Sequence, residues 1–183
     1  DEFDEAAVEE HLEALKEKEK EIPATLKCGC PSSHVQTFMP GTPCQAANQP
    51  RSTTPSPASA LGHWPIQVSL VPATAPFLKG ADLLVAADCV PVAFPRLQTE
   101  FLPGRAIMIG CPKFDDKKAY VEKFAQVFKT AGIKSVTCVM MEVPCCSGLP
   151  MILKEAMQVS GVKVPMEVIT VSARGEILEQ RKV

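Results

Sequence analysis

The chain has 183 residues, 46% of them hydrophobic, and a formal charge of −2, which suits one domain with a real core and is too little for two. The charge is uneven, because residues 1–21 hold ten acidic side chains against three lysines and leave the remainder mildly basic. That excess is scattered and accompanied by one Trp and one Tyr, so nucleic acid is excluded as a main partner, and no apolar run approaches the ~20 residues of a membrane span.

Residues 2–21 carry Phe3, Val8, Leu12 and Leu15 roughly one turn apart, which predicts a charged helix with a narrow apolar stripe. The start is acidic where a signal peptide is basic and then apolar, so a cytoplasmic protein is expected. Asp1 opens inside this helical pattern, which points to a piece of a longer chain or a processed product. From Pro23 to Pro65 prolines recur with Ser, Thr, Gln and Gly. This stretch reads as a linker, with 45–60 of low complexity, and Cys28-Gly29-Cys30-Pro31 stands inside it.

After Leu61 short β-branched runs alternate with helical patterns, the mark of a parallel sheet covered by helices. Strands are predicted at 66–71, 83–87, 106–109, 135–141 and 166–172. A last short strand, 176–178, turns back as a hairpin through Arg174-Gly175. The clearest helix is 116–131, with Tyr120, Phe124, Val127, Phe128 and Ala131 on one face, Asp115 or Asp116 as its cap and Gly132 as its stop. A second helix, 147–160, ends at Gly161. Pro91 and Pro95 reduce 90–100 to a short helix at best. The expected architecture is α/β: a flavodoxin-like open parallel sheet with helices on both faces. The stretches are a charged helix over 1–21, a Pro-rich arm with the Cys-Gly-Cys loop over 22–60, and the α/β domain over 61–183.

Eight cysteines in a chain without an export signal point to metal or redox chemistry rather than a disulfide framework. Cys89 follows the strand 83–87, Cys111 follows 106–109, and Cys145-Cys146 follows 135–141. Parallel strands all point one way, so three loops deliver thiols to the carboxyl edge, where open α/β sheets bind their ligands. Cys146 at a helix start is expected as a thiolate, favoured by free N–H groups and the helix dipole. Cys28 and Cys30 add two thiols on an arm that Gly29 allows to bend. Four thiolates around iron is the ordinary requirement of a 2Fe-2S or 4Fe-4S cluster. Cys138, inside a strand, reads as core, and Cys44 as incidental.

Zinc is the competing metal, but neither a Cys-x-x-Cys knuckle nor a histidine partner at the right spacing occurs. His11, His34 and His63 read as solvent or loop residues, although His34 or His63 could approach the site. No Gly-x-Gly-x-x-Gly or Walker pattern supports nucleotide binding. The pair Asp115-Asp116 reads as a helix cap, and Ser147 has no nearby histidine to activate it.

The words Gly62-His63-Trp64-Pro65, Ala81-Asp82-Leu83-Leu84-Val85-Ala86-Ala87-Asp88-Cys89, Ile109-Gly110-Cys111-Pro112-Lys113 and Glu142-Val143-Pro144-Cys145-Cys146 carry a resemblance. The chain resembles a family of ferredoxin-type, iron-sulfur cluster-binding oxidoreductases of anaerobic bacteria and archaea, over nearly its whole length apart from about 45–60. In that family a two-cluster ferredoxin segment precedes a region like residues 3–15, a Cys-Gly-Cys-Pro loop and this α/β domain. The ferredoxin segment is absent here. A looser architectural analogy is to the small subunits of respiratory NADH dehydrogenase and nickel-iron hydrogenase, which hold a 4Fe-4S cluster on a flavodoxin-like sheet.

The expected function is therefore intracellular electron transfer through an iron-sulfur cluster, 4Fe-4S or a larger or bridged one, held by Cys28, Cys30, Cys89, Cys111, Cys145 and Cys146. The expected partner is a ferredoxin-type module or another redox protein, and a homodimer is allowed. The alternative is a reductase acting on a small molecule at an open or enlarged cluster. A zinc-stabilised interaction module is a third class.

Overall fold

The computed structural model describes residues 34–38 and 59–183. Expectations for 1–21, for Cys28, Cys30 and Cys44, and for most of the low-complexity stretch lie outside the described residues. The chain divides into two units, Asp1–His34 and Val35–Val183, and the sheets and helices described below lie in the second.

A short antiparallel ribbon comes first, β1 (Gln36–Thr37) against β2 (His63–Trp64). The main sheet holds β3 (Asp82–Ala87), β4 (Ala106–Gly110), β5 (Ser135–Met141), β6 (Met166–Val171) and β7 (Ile177–Lys182) in the order β4-β3-β5-β6-β7. All pairs are parallel except β6 with β7. Strand β3 is flanked on both sides, and its Leu83 to Ala87 run is buried throughout, as a central parallel strand requires. The helices are α1 (Val90–Ala93), α2 (Lys117–Ala131) and α3 (Gly148–Ser160). Right-handed crossovers put α2 and α3 together on one face, because both connections run the same way along the sheet. The connection from β3 to β4 runs the other way, so α1 and the π turn Leu97–Phe101 take the opposite face. The layered α/β sheet expected from the periodicity is thus observed.

Local chemistry explains the boundaries. Asp116 Oδ1 accepts from the N–H of Lys118 at 2.8 Å and of Ala119 at 3.3 Å, capping α2. Gly132 ends that helix at φ 61° in the left-handed region. On its buried face Phe124 lies between Tyr120, edge-on at 6.2 Å, and Phe128, stacked at 6.3 Å.

Two expected strands are corrected. The run 66–71 contributes a single parallel bridge, Gln67 to Ile109. The N–H groups of Leu70 and Val71 turn back onto the Gln67 carbonyl, both at 2.9 Å, and close a turn before Pro72. The terminal strand is longer than 176–178: β7 runs six residues, and a bulge beside Thr170/Val171 keeps it in register with β6.

His63 also departs from expectation. It is neither a solvent nor a loop residue, being 2% exposed. Its Nε2 accepts the Ile107 N–H at 2.8 Å, and its ring stacks on Phe77 at 3.8 Å. Ile107 lies near the amino end of β4, about 10 Å or more of strand from the carboxyl edge, so His63 does not approach the thiols. Its Nδ1 has no hydrogen-bond partner among the described residues. Burial lowers its pKa from the usual value, opposed by the Pro65 backbone. The unfolded chain therefore takes up a proton that the folded protein refuses. This contribution to stability is complete above pH ~6.5 and is lost as pH falls, by up to about 1.4 kcal/mol per unit. Urea unfolding at pH 7.5 and 5.5 checks it: wild type is expected to lose about 1 kcal/mol more than His63→Gln, which keeps an acceptor but does not titrate. An equal loss in both would mean that His63 does not couple folding to pH.

Candidate functional site

The strand order reverses at β3. The chain leaves β3 for β4 on one side and returns across it to β5 on the other, so the crevice beyond the carboxyl ends of β3 and β5 is the switch point where folds of this kind bind ligands. Cys89 directly precedes α1 after β3. Cys145 and Cys146 lie in the 3-10 turn Pro144–Ser147 after β5, and Cys111 directly follows β4. Four of the six predicted ligands thus come to one edge. Cys28 and Cys30 lie outside the described residues.

Cys89 and Cys145 are exposed, Cys111 is half-buried and Cys146 is buried. At Cys146 burial opposes the helix-start effect that favours a thiolate. The residue sits in the turn ahead of α3, and burial raises its pKa, with Cys145 and Cys89 pushing the same way and a backbone hydrogen bond at Met141 opposing. Cys138 is buried within β5, and burial, followed by the nearby Cys146, pushes its thiol up to about 12. It is core, as expected. Ser147 is engaged locally, its Oγ donating to the Pro144 carbonyl at 2.7 Å.

The Cys111 loop is tethered by residues that sequence reasoning passed over. Asp115 does not cap α2. Its Oδ2 accepts the Cys111 N–H at 3.0 Å and also the Tyr120 hydroxyl. Tyr120 is buried, and its pKa is raised by burial and then by Asp115 and Asp88, so it remains a donor. Gly110 makes room for it: a Cβ there would overlap the Tyr120 hydroxyl and lie 2.7 Å from Cζ. Gln67 Nε2 donates to Asp88 Oδ1 at 3.3 Å on the adjoining loop. The available signal was Asp115-Asp116 itself, two carboxylates where one cap suffices. A cleft of about 240 Å³ lined by Val68, Ser69, Asp115, Tyr120 and Lys123 opens beside this tether, and Lys123 Nζ donates to the Val71 carbonyl at 2.8 Å.

Among the described residues no three His, Cys, Asp or Glu side chains stand together closely enough to hold a metal ion. None of the described helices is long and apolar enough to cross a membrane.

A family model described as a Rossmann-like domain matches residues 75–183. The chain belongs to this Rossmann-like family. It is also similar to an uncharacterized protein of Archaeoglobus fulgidus, 31% identical over 115 residues that make up 63% of this chain and 81% of that protein. No solved structure matches. Within this Rossmann-like domain, the turn after β3 reads Asp88-Cys89-Val90-Pro91. It lacks the glycines that let a backbone approach a dinucleotide pyrophosphate, and a thiol stands in their place.

Proposed function

We propose that the carboxyl edge of this sheet carries an iron-sulfur cluster for electron transfer, as in the ferredoxin-type oxidoreductase family that the chain resembles. The observation that supports this best is the arrival of Cys89, Cys111 and Cys145-Cys146 from three successive βα loops at one sheet edge. Cys28 and Cys30 on the arm would supply further ligands. A bound cluster would supply one-electron chemistry.

Zinc is the weaker reading because the chain offers neither a Cys-x-x-Cys knuckle nor a histidine partner at the right spacing. Pro112 and Pro144 stiffen the loops beside the thiols, and Asp115 with Tyr120 fixes the backbone of Cys111.

A second reading, reduction of a small molecule, draws on the exposure of Cys89 and Cys145.

Iron and acid-labile sulfide per chain after anaerobic purification test the proposal. The expected product is brown, with broad thiolate-to-iron absorption that bleaches in air. A colourless protein holding stoichiometric zinc and no sulfide after anaerobic reconstitution would sink it.

A further inference from the structure

Among the described residues strand β7 is the open edge of the five-stranded sheet, and all six of its residues are exposed. Ile177, Leu178 and Val183 at this edge are 38%, 53% and 50% exposed. An unpaired edge is a template for another strand, and proteins usually blunt it with charges. Here the charges are ordered in a way that fits a second copy.

The direction of each backbone group follows from the pairing with β6. The Val183 N–H donates to the Met166 carbonyl at 2.8 Å. Arg181 lies opposite Val168 and Glu179 opposite Thr170 in the same register. Because bonding alternates along an antiparallel strand, Glu179, Arg181 and Val183 turn their N–H and C=O groups toward β6, while Gln180 and Lys182 turn theirs to the open side; Leu178 sits at the bulge, where the alternation is interrupted.

A second copy paired antiparallel about a two-fold axis must bond outward residues to outward residues. Three alignments do so, centred on Glu179, Gln180 or Arg181. The first opposes two carboxylates and the third two guanidinium groups, and like charges directly opposite are destabilising. Centring on Gln180 instead places Glu179 opposite Arg181 twice, in the non-hydrogen-bonded pairs where side chains approach most closely. Within one copy Glu179 and Arg181 pair loosely with each other, at 3.7 Å and with more than half of each side chain exposed, so they are free to exchange partners.

We infer that β7 is a self-association surface: two copies pair through it about a two-fold axis at Gln180 and form one continuous sheet. This contact is independent of the thiol edge, which lies at the strand ends.

Sedimentation velocity on the full chain, up to about 200 µM because so small an interface holds weakly, tests the inference. Wild type is expected to dimerise reversibly. Glu179→Arg and Arg181→Glu should each raise the dissociation constant at least tenfold, while an equimolar mixture of the two re-associates because every opposed pair is again of opposite sign. Gln180→Pro removes an outward N–H and spares the main-chain bonds to β6, although it also loses the exposed side-chain bond from Gln180 Nε2 to Glu167 Oε1 at 2.9 Å; it should give a monomer whose unfolding midpoint matches that of Gln180→Ala, which loses the same side-chain bond but keeps the N–H. A wild-type chain monomeric over the whole range, single variants that associate like wild type, or a mixture that stays monomeric would each overturn it.

Discussion

Cys89→Ala, Cys111→Ala and Cys146→Ala are each expected to lower the iron and sulfide retained after anaerobic reconstitution by more than about half, because each removes one thiolate from the proposed site. Cys138→Ala should keep the wild-type content. Its thiol is fully buried within β5, so the change costs only the ~1 kcal/mol of a small core deletion. Double replacement of Cys28 and Cys30 by alanine should leave the α/β unit folded and the site incomplete, since closing a loop over the linker costs only a few kcal/mol, which metal-thiolate bonds readily offset. Metal analysis beside urea unfolding separates the two classes of cysteine. Equal loss of iron in all variants, Cys138→Ala included, would mean that the edge set has no special role.

Gly110→Ala carries the largest expected effect on stability. The added methyl would occupy the place of the Tyr120 hydroxyl, so the ring must leave a site where it is 3% exposed. Overpacking of this kind costs ~1–3 kcal/mol, and losing the bond to Asp115 adds about 1 kcal/mol, for a sum of roughly 2–4 kcal/mol. Tyr120→Phe alone removes only the hydroxyl and should cost about 1 kcal/mol. The ring carbon at 2.7 Å would still block a Cβ, so Gly110→Ala should remain costly in the Phe background, whereas Tyr120→Leu should relieve part of it. A double-mutant cycle by urea unfolding measures the coupling. Additive behaviour of Gly110→Ala with Tyr120→Leu would show that the two residues do not compete for the same space.

The legible parts of this fold are those where one local rule acts without competition. Asp116 and Gly132 bound α2 because a cap and a left-handed stop are nearest-neighbour chemistry. The buried run of β3 announces a strand covered on both faces. Where side-chain pattern and backbone context disagree, the pattern misleads. Residues 66–71 are apolar enough for a strand but turn back after a single bridge. Strand β7 is polar enough to look like a tail, yet it is held by main-chain pairing with β6. The same division holds at the site. That the thiols share an edge follows from strand direction, which periodicity reveals. The tether of Cys111 by Asp115 and Tyr120 depends on a glycine whose only signature is the missing side chain. The raised pKa of Cys146 reflects its burial, which no motif encodes.

The central place of β3 also sets an order of assembly. The loops of Cys89 and Cys146 are brought to the same sheet edge by the pairing of β3 with β5, strands some fifty residues apart that bond through Asp82 with Ser135 to Ala86 with Val139. That pairing is held by a core of Leu83, Val85, Phe124, Leu149 and Leu153, all fully buried, and draws nothing from the thiols. Unlike a small zinc module, which remains unfolded until its metal arrives, this chain has a core that does not draw on the edge thiols, so the proposed cluster would load onto a finished scaffold. Chelation should accordingly empty the edge and spare the fold, and reloading should need no refolding step.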